Sequence, residues 1–252
     1  MLFRSLLVDL LARSKVGLAN WWISEFLTAS GDFTALSVLR FYAVYRAMVR
    51  LKVASIRSAQ TQVADADLET YLRLAEYLID TKATDLVITH GVSGCGKSWS
   101  ASRWVSQAAP GLRLRVRADV ERKRLFGLSE VARTQSATGH GIYAQQASER
   151  TYERLRELAQ LALATGWSVV IDASFIKAVE RKRAAELAQC CGVRYQIMAP
   201  HAGYAELKDR VERRLREGHD PSEADVAVLN RQLQSMQALS EDERALCLQE
   251  MP

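Results

Sequence analysis

Eight consecutive residues have the types and the spacing that bind a phosphate group. Gly91, Val92, Ser93, Gly94, Cys95, Gly96, Lys97 and Ser98 fit the pattern G-x-x-x-x-G-K-[ST] and follow a short aliphatic run. Glycines permit positive φ angles, so that successive backbone N–H groups can surround phosphate oxygens. We predict that Lys97 reaches the terminal phosphates of a nucleotide and that the Ser98 hydroxyl binds Mg²⁺. The alternative is a glycine-rich turn that matches by chance.

Two aspartates follow later aliphatic runs, where the carboxyl ends of parallel strands bind ligands. Asp172 is a candidate Mg²⁺ ligand, directly or through a water, although it could also cap the next helix. Ala173 follows it, and the lack of a water-activating Glu there favours transfer to a substrate over hydrolysis. Asp119 could accept the proton of a substrate hydroxyl as that hydroxyl attacks the γ-phosphate, or it could be a helix cap.

Arginines near these aspartates could neutralise charge that develops on a transferred phosphoryl group. Arg122 lies one helical turn after Asp119. Arg210 and Arg214 are four residues apart and share one face of a predicted helix, which could close over the phosphates as a lid. Acidic residues alternate with the basic ones between 205 and 218, so an ordinary solvated helix with internal ion pairs is the alternative.

The elements that must position these residues follow from the spacing of apolar residues. Four short β-branched or aliphatic runs, and a weaker fifth, alternate with helical patterns after Thr84; they cover 86–89, 114–116, 168–171, 195–198 and 245–248. This alternation predicts crossover units and a mostly parallel sheet covered on both faces. We therefore predict an α/β, three-layer P-loop domain over residues 81–252.

The first 80 residues show helical spacing throughout and contain no proline. We predict three or four helices there and no strand, with a break at Ser30–Asp32 and with Asp65 or Asp67 as a cap. The boundary near residue 80 rests on the change of period alone. We predict an all-α N-terminal appendage over 1–80.

The composition is that of a globular protein, with 48% hydrophobic and 25% charged residues. Four cysteines without paired spacing favour a reducing compartment, so we predict a cytoplasmic protein with no membrane-spanning segment. The net charge of +5 is uneven, because residues 81–219 carry +9 and residues 220–252 carry −5. This distribution suits a phosphate-rich transition state, and it leaves a nucleic-acid acceptor open without requiring one.

Four features taken together resemble P-loop kinases of the polynucleotide-kinase and gluconate-kinase type. They are the loop at 91–98, Asp-x-x-Arg at 119–122, the strand ending in Asp172 and the Arg210/Arg214 pair. Four stretches look closer still to the ATP-binding half of bacterial predicted kinases: RADVERKRLFGLSE, TGHGIYAQQASERTYERL, GWSVVIDASF and DPSEADVAVLNRQL. Those kinases often carry an aminoglycoside-phosphotransferase-like half in front. The resemblance covers about residues 84–252, and it implies ATP and Mg²⁺ as cofactors.

The resemblance also implies roles for single residues. Lys97 and Ser98 would hold phosphate and Mg²⁺, Asp119 would be the base with Arg122 assisting, Asp172 would be the metal-site carboxylate, and Arg210 with Arg214 would form the lid. Ser174, Tyr143, Glu149 and Arg150 are candidate substrate contacts, whereas His140 is expected in a solvent-exposed loop. Residues 39–50 look like the last helices of the phosphotransferase-like half, yet its H-x-D-x-x-x-x-N loop and I-D-F strand are absent. The phosphotransferase-like part could thus be separate or missing.

The function predicted from the sequence is ATP·Mg²⁺-dependent transfer of the γ-phosphate to a hydroxyl of an unidentified small molecule or nucleic-acid end. One alternative is a nucleotide-sensing regulatory or ATPase module that acts through a protein partner. Others are toxin-like phosphorylation of a nucleotide sugar and a truncated, inactive remnant.

Overall fold

The fold was established from a computed structural model, which describes residues 2–107, 111–129, 132, 145–217 and 222–248. Its helices are α1 (Leu2–Ala12), α2 (Val16–Ser30), α3 (Leu36–Thr61), α4 (Asp67–Asp80), α5 (Lys97–Ser106), α6 (Ala118–Leu125), α7 (Gln145–Ala164), α8 (Ala178–Cys191), α9 (Tyr204–Glu217), α10 (Val226–Ser235) and α11 (Glu241–Ala245), with a short 3-10 turn at Phe33–Ala35. Its strands are β1 (Asp85–Thr89), β2 (Leu112–Arg117), β3 (Trp167–Asp172) and β4 (Arg194–Met198).

The strands form a parallel sheet in the order β2-β3-β1-β4. Ile88 of β1 lies beside Ile171 of β3 on one side and Ile197 of β4 on the other. Every residue of β1 and β3 is buried, as expected for central strands covered on both faces. The predicted α/β class is therefore confirmed.

Helices cover both faces of this sheet. Val87 and Val170 pack with Ala101, Trp104 and Val105 of α5 on one face. On the other face the strands pack with α7 and α8, in an apolar cluster that also contains most of the buried apolar residues of α1 to α4. One contiguous core thus joins the N-terminal helices to the sheet.

The N-terminal segment forms helices α1 to α4 within the described residues, as the sequence predicts. Gly31 ends α2 with φ of 72°, and its N–H donates to the Leu27 carbonyl at 2.9 Å. Asp32 then caps the following turn by accepting the Ala35 N–H, so the predicted break at Ser30–Asp32 is present. Before α4, Asp65 accepts the Asp67 N–H at 3.0 Å, although Asp65 lies one residue outside the N-cap position.

The fifth aliphatic run, predicted over 245–248, does not form a full strand among the described residues. Ala245 ends α11, and Cys247 makes an isolated parallel bridge with Ile197 of β4. Two hydrogen bonds hold it: the Ile197 N–H donates to the Leu246 carbonyl at 3.0 Å, and the Leu248 N–H donates to the Ile197 carbonyl at 2.8 Å. Up to Leu248, where the described part of the chain ends, the chain thus meets the sheet edge in a single bridge.

Candidate functional site

The loop between β1 and α5 has the backbone of a phosphate cradle. Gly91, Gly94 and Gly96 have φ angles of 140°, 85° and 102°. A Cβ on Gly94 would lie 2.8 Å from the Leu207 carbonyl oxygen, so this position also lacks room for a side chain. Helix α5 begins at Lys97 with no side-chain hydrogen bond at its cap, so no capping side chain competes with a phosphate for its first N–H groups.

Lys97 reaches back across this loop. Its Nζ donates to the Val92 carbonyl at 2.6 Å and lies 3.8 Å from the Sγ of Cys95, which is buried. A terminal phosphate in the cradle would offer this ammonium group a charged acceptor in place of the carbonyl.

Ser98 and Asp172 meet at the mouth of the loop. The Ser98 side chain lies close enough to the carboxylate of Asp172, which ends β3 and is 7% exposed, to counter part of the rise in its pKa. Burial raises the pKa of Asp172 above its ordinary 3.8, and the positive charges of Arg115 and Arg117 oppose that rise. A hydroxyl and a carboxylate beside a phosphate site are the oxygen donors that Mg²⁺ prefers, so the residues present fit this ion.

Asp119 and Arg122 lie at the same edge of the sheet, one strand further from the loop. Arg117 of β2 pairs with Asp172 of β3, and α6 begins at the next residue, which puts half-buried Asp119 in its first turn. Burial raises the pKa of the Tyr152 phenol, and the charge of half-buried Arg122 nearby opposes that rise. The Tyr152 hydroxyl lies 3.3 Å from Ser174 Oγ, so these groups surround one region beside Asp172.

Helix α9 packs on the phosphate loop and carries both predicted lid arginines. Leu207 and Val211 form an apolar cluster with Val92 and Cys95 of the loop. Arg210 donates to the Gly94 carbonyl at 3.1 Å and also pairs with Glu206 of its own helix. Arg214 instead donates to the Ala224 carbonyl at 3.1 Å. Arg210 thus lies against the loop and also makes an ion pair within its own helix, and the closing of a lid over phosphates stays a prediction.

Three residues at this site were missed by sequence reasoning. The side-chain oxygen of Gln232 in α10 accepts the Ser93 N–H at 2.7 Å, a contact for which the sequence holds no spacing signal. Arg115 is 7% exposed within β2, and Glu25 of α2 pairs with it at 2.9 Å. For Arg115 the sequence held a signal, because an arginine between Leu114 and Val116 lies in a strand that must be buried.

The loop after β3 is held tightly beside the cradle. The Ser174 carbonyl accepts the Gly91 N–H at 3.0 Å, and the Phe175 carbonyl lies 3.0 Å from Nδ1 of His90. Phe175 has a φ of 43°, a strained conformation that Arg181 supports by donating to the same carbonyl at 3.2 Å. Arg181 also binds Glu243, and this pairing lowers the pKa of the Glu243 carboxyl. The C-terminal segment is thereby fixed to this loop.

Of the predicted substrate contacts, Glu149 and Arg150 are exposed in the first turns of α7. Glu149 accepts a hydrogen bond from Gln145 at 3.0 Å. Tyr143 and His140 lie outside the described residues.

A cleft of about 850 Å³ opens beside the cradle. Its cationic side chains come from helices α5 and α9, and none of the described residues that line it carries a carboxylate; the cations are Lys97, Arg103, Arg210, Arg213 and Arg214. Trp99 is 65% exposed at the cleft, and the Arg103 guanidinium lies 5.2 Å from its ring centroid. The cleft therefore combines an anion site with an aromatic surface large enough for a base.

A parallel sheet with this loop between β1 and α5 defines a P-loop domain, the class whose loop binds nucleotide phosphates. Residues 86–239 match the family described as an AAA domain, and the chain belongs to that family. Within the described residues, no helix is both long enough and apolar enough to cross a membrane.

Curated relatives include uncharacterized proteins of Mycobacterium tuberculosis and Mycobacterium bovis, each 27% identical over 186 residues. The alignment covers 72% of this chain and 37% of each relative, so the chain spans a little over a third of their length. Among solved structures, Kti12 of Chaetomium thermophilum in complex with ADP-AlF3 is similar with a TM-score of 0.46 and 12% identity, covering 65% of this chain and 88% of Kti12. The APS kinase CysC of M. tuberculosis, in complex with AMPPNP and APS, has a TM-score of 0.39 and 19% identity, covering 54% of this chain and 73% of that one.

Proposed function

We propose that this protein is a kinase that transfers the γ-phosphate of ATP to a hydroxyl, with Mg²⁺ as the metal ion. The observation that carries this proposal is that Ser98 and the Asp172 carboxylate lie close together at the mouth of the phosphate loop. When bound, Mg²⁺ would neutralise charge on the transferred phosphoryl group. Ser98 and Asp172 would hold the ion, together with phosphate oxygens.

The loop and the lid would hold the donor phosphates. Backbone N–H groups from Gly94 to Ser98 and the Lys97 ammonium would bind their oxygens. Arg210 already lies against the loop at the Gly94 carbonyl, so a small side-chain movement would transfer its guanidinium to a phosphate. A charged acceptor makes the stronger hydrogen bond, which supports closure of α9 over ATP.

The acceptor would approach from the side of β2 and β3. Asp119 is the proposed base for the attacking hydroxyl, and Arg122 the proposed partner for its developing charge. The Tyr152–Ser174 pair supplies further polar groups in that region. A water-activating carboxylate does not follow Asp172, where Ala173 is buried instead, and this supports transfer to a substrate over ATP hydrolysis.

A transfer assay with γ-labelled ATP tests this proposal. Acceptors would be sugars, nucleosides, 5′-hydroxyl oligonucleotides and aminoglycosides, which sample both small molecules and a nucleic-acid end. We expect one class to be labelled by the wild type and not by Lys97→Ala, while Lys82→Ala, which changes an exposed lysine outside the loop, behaves like the wild type. If the wild type binds ATP but labels every acceptor no more than Lys97→Ala does, the proposed kinase activity is rejected.

A second candidate is a nucleotide-sensing module, which two contacts favour. Gln232 of α10 and Arg210 of α9 bind backbone groups of the loop, so nucleotide binding would alter the positions of both helices. This function predicts ATP-dependent protection of α9 and α10 from amide hydrogen exchange together with negligible phosphate transfer.

A further inference from the structure

A buried arginine connects the N-terminal helices to the proposed metal site. Arg115 lies on β2, and its Nη1 donates to Ser102 Oγ of α5 at 2.6 Å and to the Ser98 carbonyl at 3.3 Å. The same nitrogen lies 4.0 Å from Asp172 Oδ2. Its Nη2 donates to Glu25 of α2 at 2.9 Å. One guanidinium is thus shared between an N-terminal carboxylate and the carboxylate proposed to hold Mg²⁺.

The two carboxylates compete for this cation, and Glu25 holds it more closely. The Arg115 guanidinium is hydrogen-bonded to Glu25 at 2.9 Å, whereas it lies 4.0 Å from Asp172, which is beyond hydrogen-bond distance. In a buried site, a full ion pair with Arg115 would offset the negative charge that Asp172 offers to a metal ion. Glu25 therefore acts against that pairing.

Packing fixes Glu25 in place. Gly17 of α2 lies so close to α5 that a Cβ there would be 1.9 Å from the Ser106 carbonyl oxygen. Ser24 Oγ accepts the outward-facing Arg115 N–H of edge strand β2 at 3.2 Å. Helix α2 is therefore fixed both to α5 and to β2. If Arg115 moved toward Asp172, Glu25 could keep its hydrogen bond only if α2 shifted against both of these elements.

We propose that Glu25 is a positioning residue for the metal site: by holding Arg115 away from Asp172, it keeps that carboxylate available to Mg²⁺. The inference rests on the metal site of the proposed function. It makes helix α2, which lies outside every motif of the phosphate site, a determinant of Mg²⁺ affinity.

Glu25→Gln tests the inference, because it removes the charge and keeps the shape of a half-exposed side chain. Nucleotide affinity would be measured by calorimetry with ADP, first in EDTA and then across a Mg²⁺ titration. We expect the half-saturating Mg²⁺ concentration to rise about three- to tenfold, with affinity in EDTA within about twofold of the wild type. Ser102→Ala, which removes the other close acceptor of Arg115, should shift the Mg²⁺ dependence in the same direction.

Two further variants serve as controls. Glu69→Gln changes an exposed carboxylate of α4 that pairs with Arg73 of the same helix, and it should leave both affinities unchanged. Glu25→Asp retains the charge and should restore most of the Mg²⁺ dependence.

Equal weakening in EDTA and in Mg²⁺ would show a merely structural role, and an unchanged Mg²⁺ titration would show no role; either result overturns the inference. If the nucleotide affinity of the wild-type protein does not depend on Mg²⁺, both this inference and the proposed metal site are overturned. A wild type that binds Mg²⁺ and nucleotide as expected, yet transfers no phosphate, would reject only the kinase reaction.

Discussion

Single residues around the phosphate loop form a set of buried charges that depend on one another. The Ser98 side chain and the positive charges of Arg115 and Arg117 surround Asp172, although the Arg115 guanidinium stays 4.0 Å from its carboxylate. Buried charges of this kind are costly unless each has a partner, so a change at one of them is felt by its neighbours.

Asp172→Asn should separate metal binding from phosphate binding. The amide keeps the shape of the side chain and removes the negative charge, so Mg²⁺ would lose its proposed carboxylate ligand while the loop keeps its N–H donors. We expect nucleotide affinity to become independent of Mg²⁺ and phosphate transfer to fall about 10²–10³-fold, as when one charge-stabilising group is removed. Asp209→Asn, in an exposed position of α9, is the control. Full transfer by Asp172→Asn would reject the assigned role.

His90 should make stability depend on pH in mildly acidic solution. Burial lowers the pKa of His90 below its ordinary 6.5. The unfolded chain therefore binds more protons than the folded protein as pH falls below 6.5, and the free energy of unfolding decreases by up to about 1.4 kcal/mol per pH unit. His90→Asn, measured by denaturant unfolding without nucleotide between pH 7.5 and 5.5, should flatten this slope. His201→Asn, at an exposed histidine, should keep it.

The residues predictable from the sequence are those that a local pattern connects. The loop from Gly91 to Ser98 is one continuous motif, and Asp172 is marked by the end of an aliphatic strand. Gln232 contacts Ser93 across 139 residues, and Glu25 contacts Arg115 across 90 residues. Such contacts depend on how helices pack on the sheet, which no spacing rule of a single sequence contains.

Among elements, helices α2 and α9 position the site through close contacts with the loop and its helix. Helix α2 packs against α5 where Gly17 meets the Ser106 carbonyl, whereas α9 packs on the loop itself. The α2 contact is backbone packing, whereas the α9 contact includes the charged side chain of Arg210.

Gly17→Ala should destabilise the protein although alanine favours helices. The added Cβ would lie 1.9 Å from the Ser106 carbonyl oxygen, so α2 must move away from α5. We expect a net loss of about 1–3 kcal/mol, since overpacking outweighs the gain in helix propensity of about 1 kcal/mol. Ser55→Ala, at an exposed position of α3, should change stability little. Unchanged thermal unfolding of Gly17→Ala would show that this helix contact is not tight.

Arg210→Ala tests α9 as a lid. If the guanidinium moves from the Gly94 carbonyl to the transferred phosphate, its loss should lower kcat about 10²–10³-fold with a smaller change in ADP affinity. Arg216→Ala removes an exposed arginine of the same helix and should retain full kcat. Equal kcat values for the two variants would contradict the lid.

Elements were predicted well where the sequence pattern was strong. The runs at 86–89 and 195–198 correspond to β1 (Asp85–Thr89) and β4 (Arg194–Met198). The run at 245–248 is short and follows a capping box at Ser240, which starts α11, so a helical turn precedes the single bridge there. Local capping thus outweighed a weak strand pattern.

In the whole molecule, the N-terminal helices and the sheet share one core. Leu7, Ile23 and Leu36 belong to the same apolar cluster as Leu86 and Ile171. The sequence indicated a parallel sheet and an N-terminal helical segment, but not that α2 would cover edge strand β2. Strand order and edge coverage depend on crossover paths, which the order of elements along the chain does not determine.

Limited proteolysis should show this shared core. Lys82 is exposed between α4 and β1, and trypsin is expected to cleave after it. Because apolar packing joins both sides of that cut, the fragment ending at Lys82 should co-elute with the remainder in gel filtration, without any added protein. Release of that fragment would instead favour a segment that docks on a partner.

The hydrogen bond from the Arg115 N–H to Ser24 has a consequence for synthesis. Its two residues are 91 positions apart, so at about 5–20 residues per second α2 is made roughly 5–20 s before its strand exists. During that interval Ile23 and Leu27, both buried in the finished fold, have no sheet to cover them. The nascent chain therefore exposes an apolar helix face to chaperones and to other ribosome-bound copies. The time taken to translate the chain from α2 to β2 thus sets how long this helix lacks the strand that it covers.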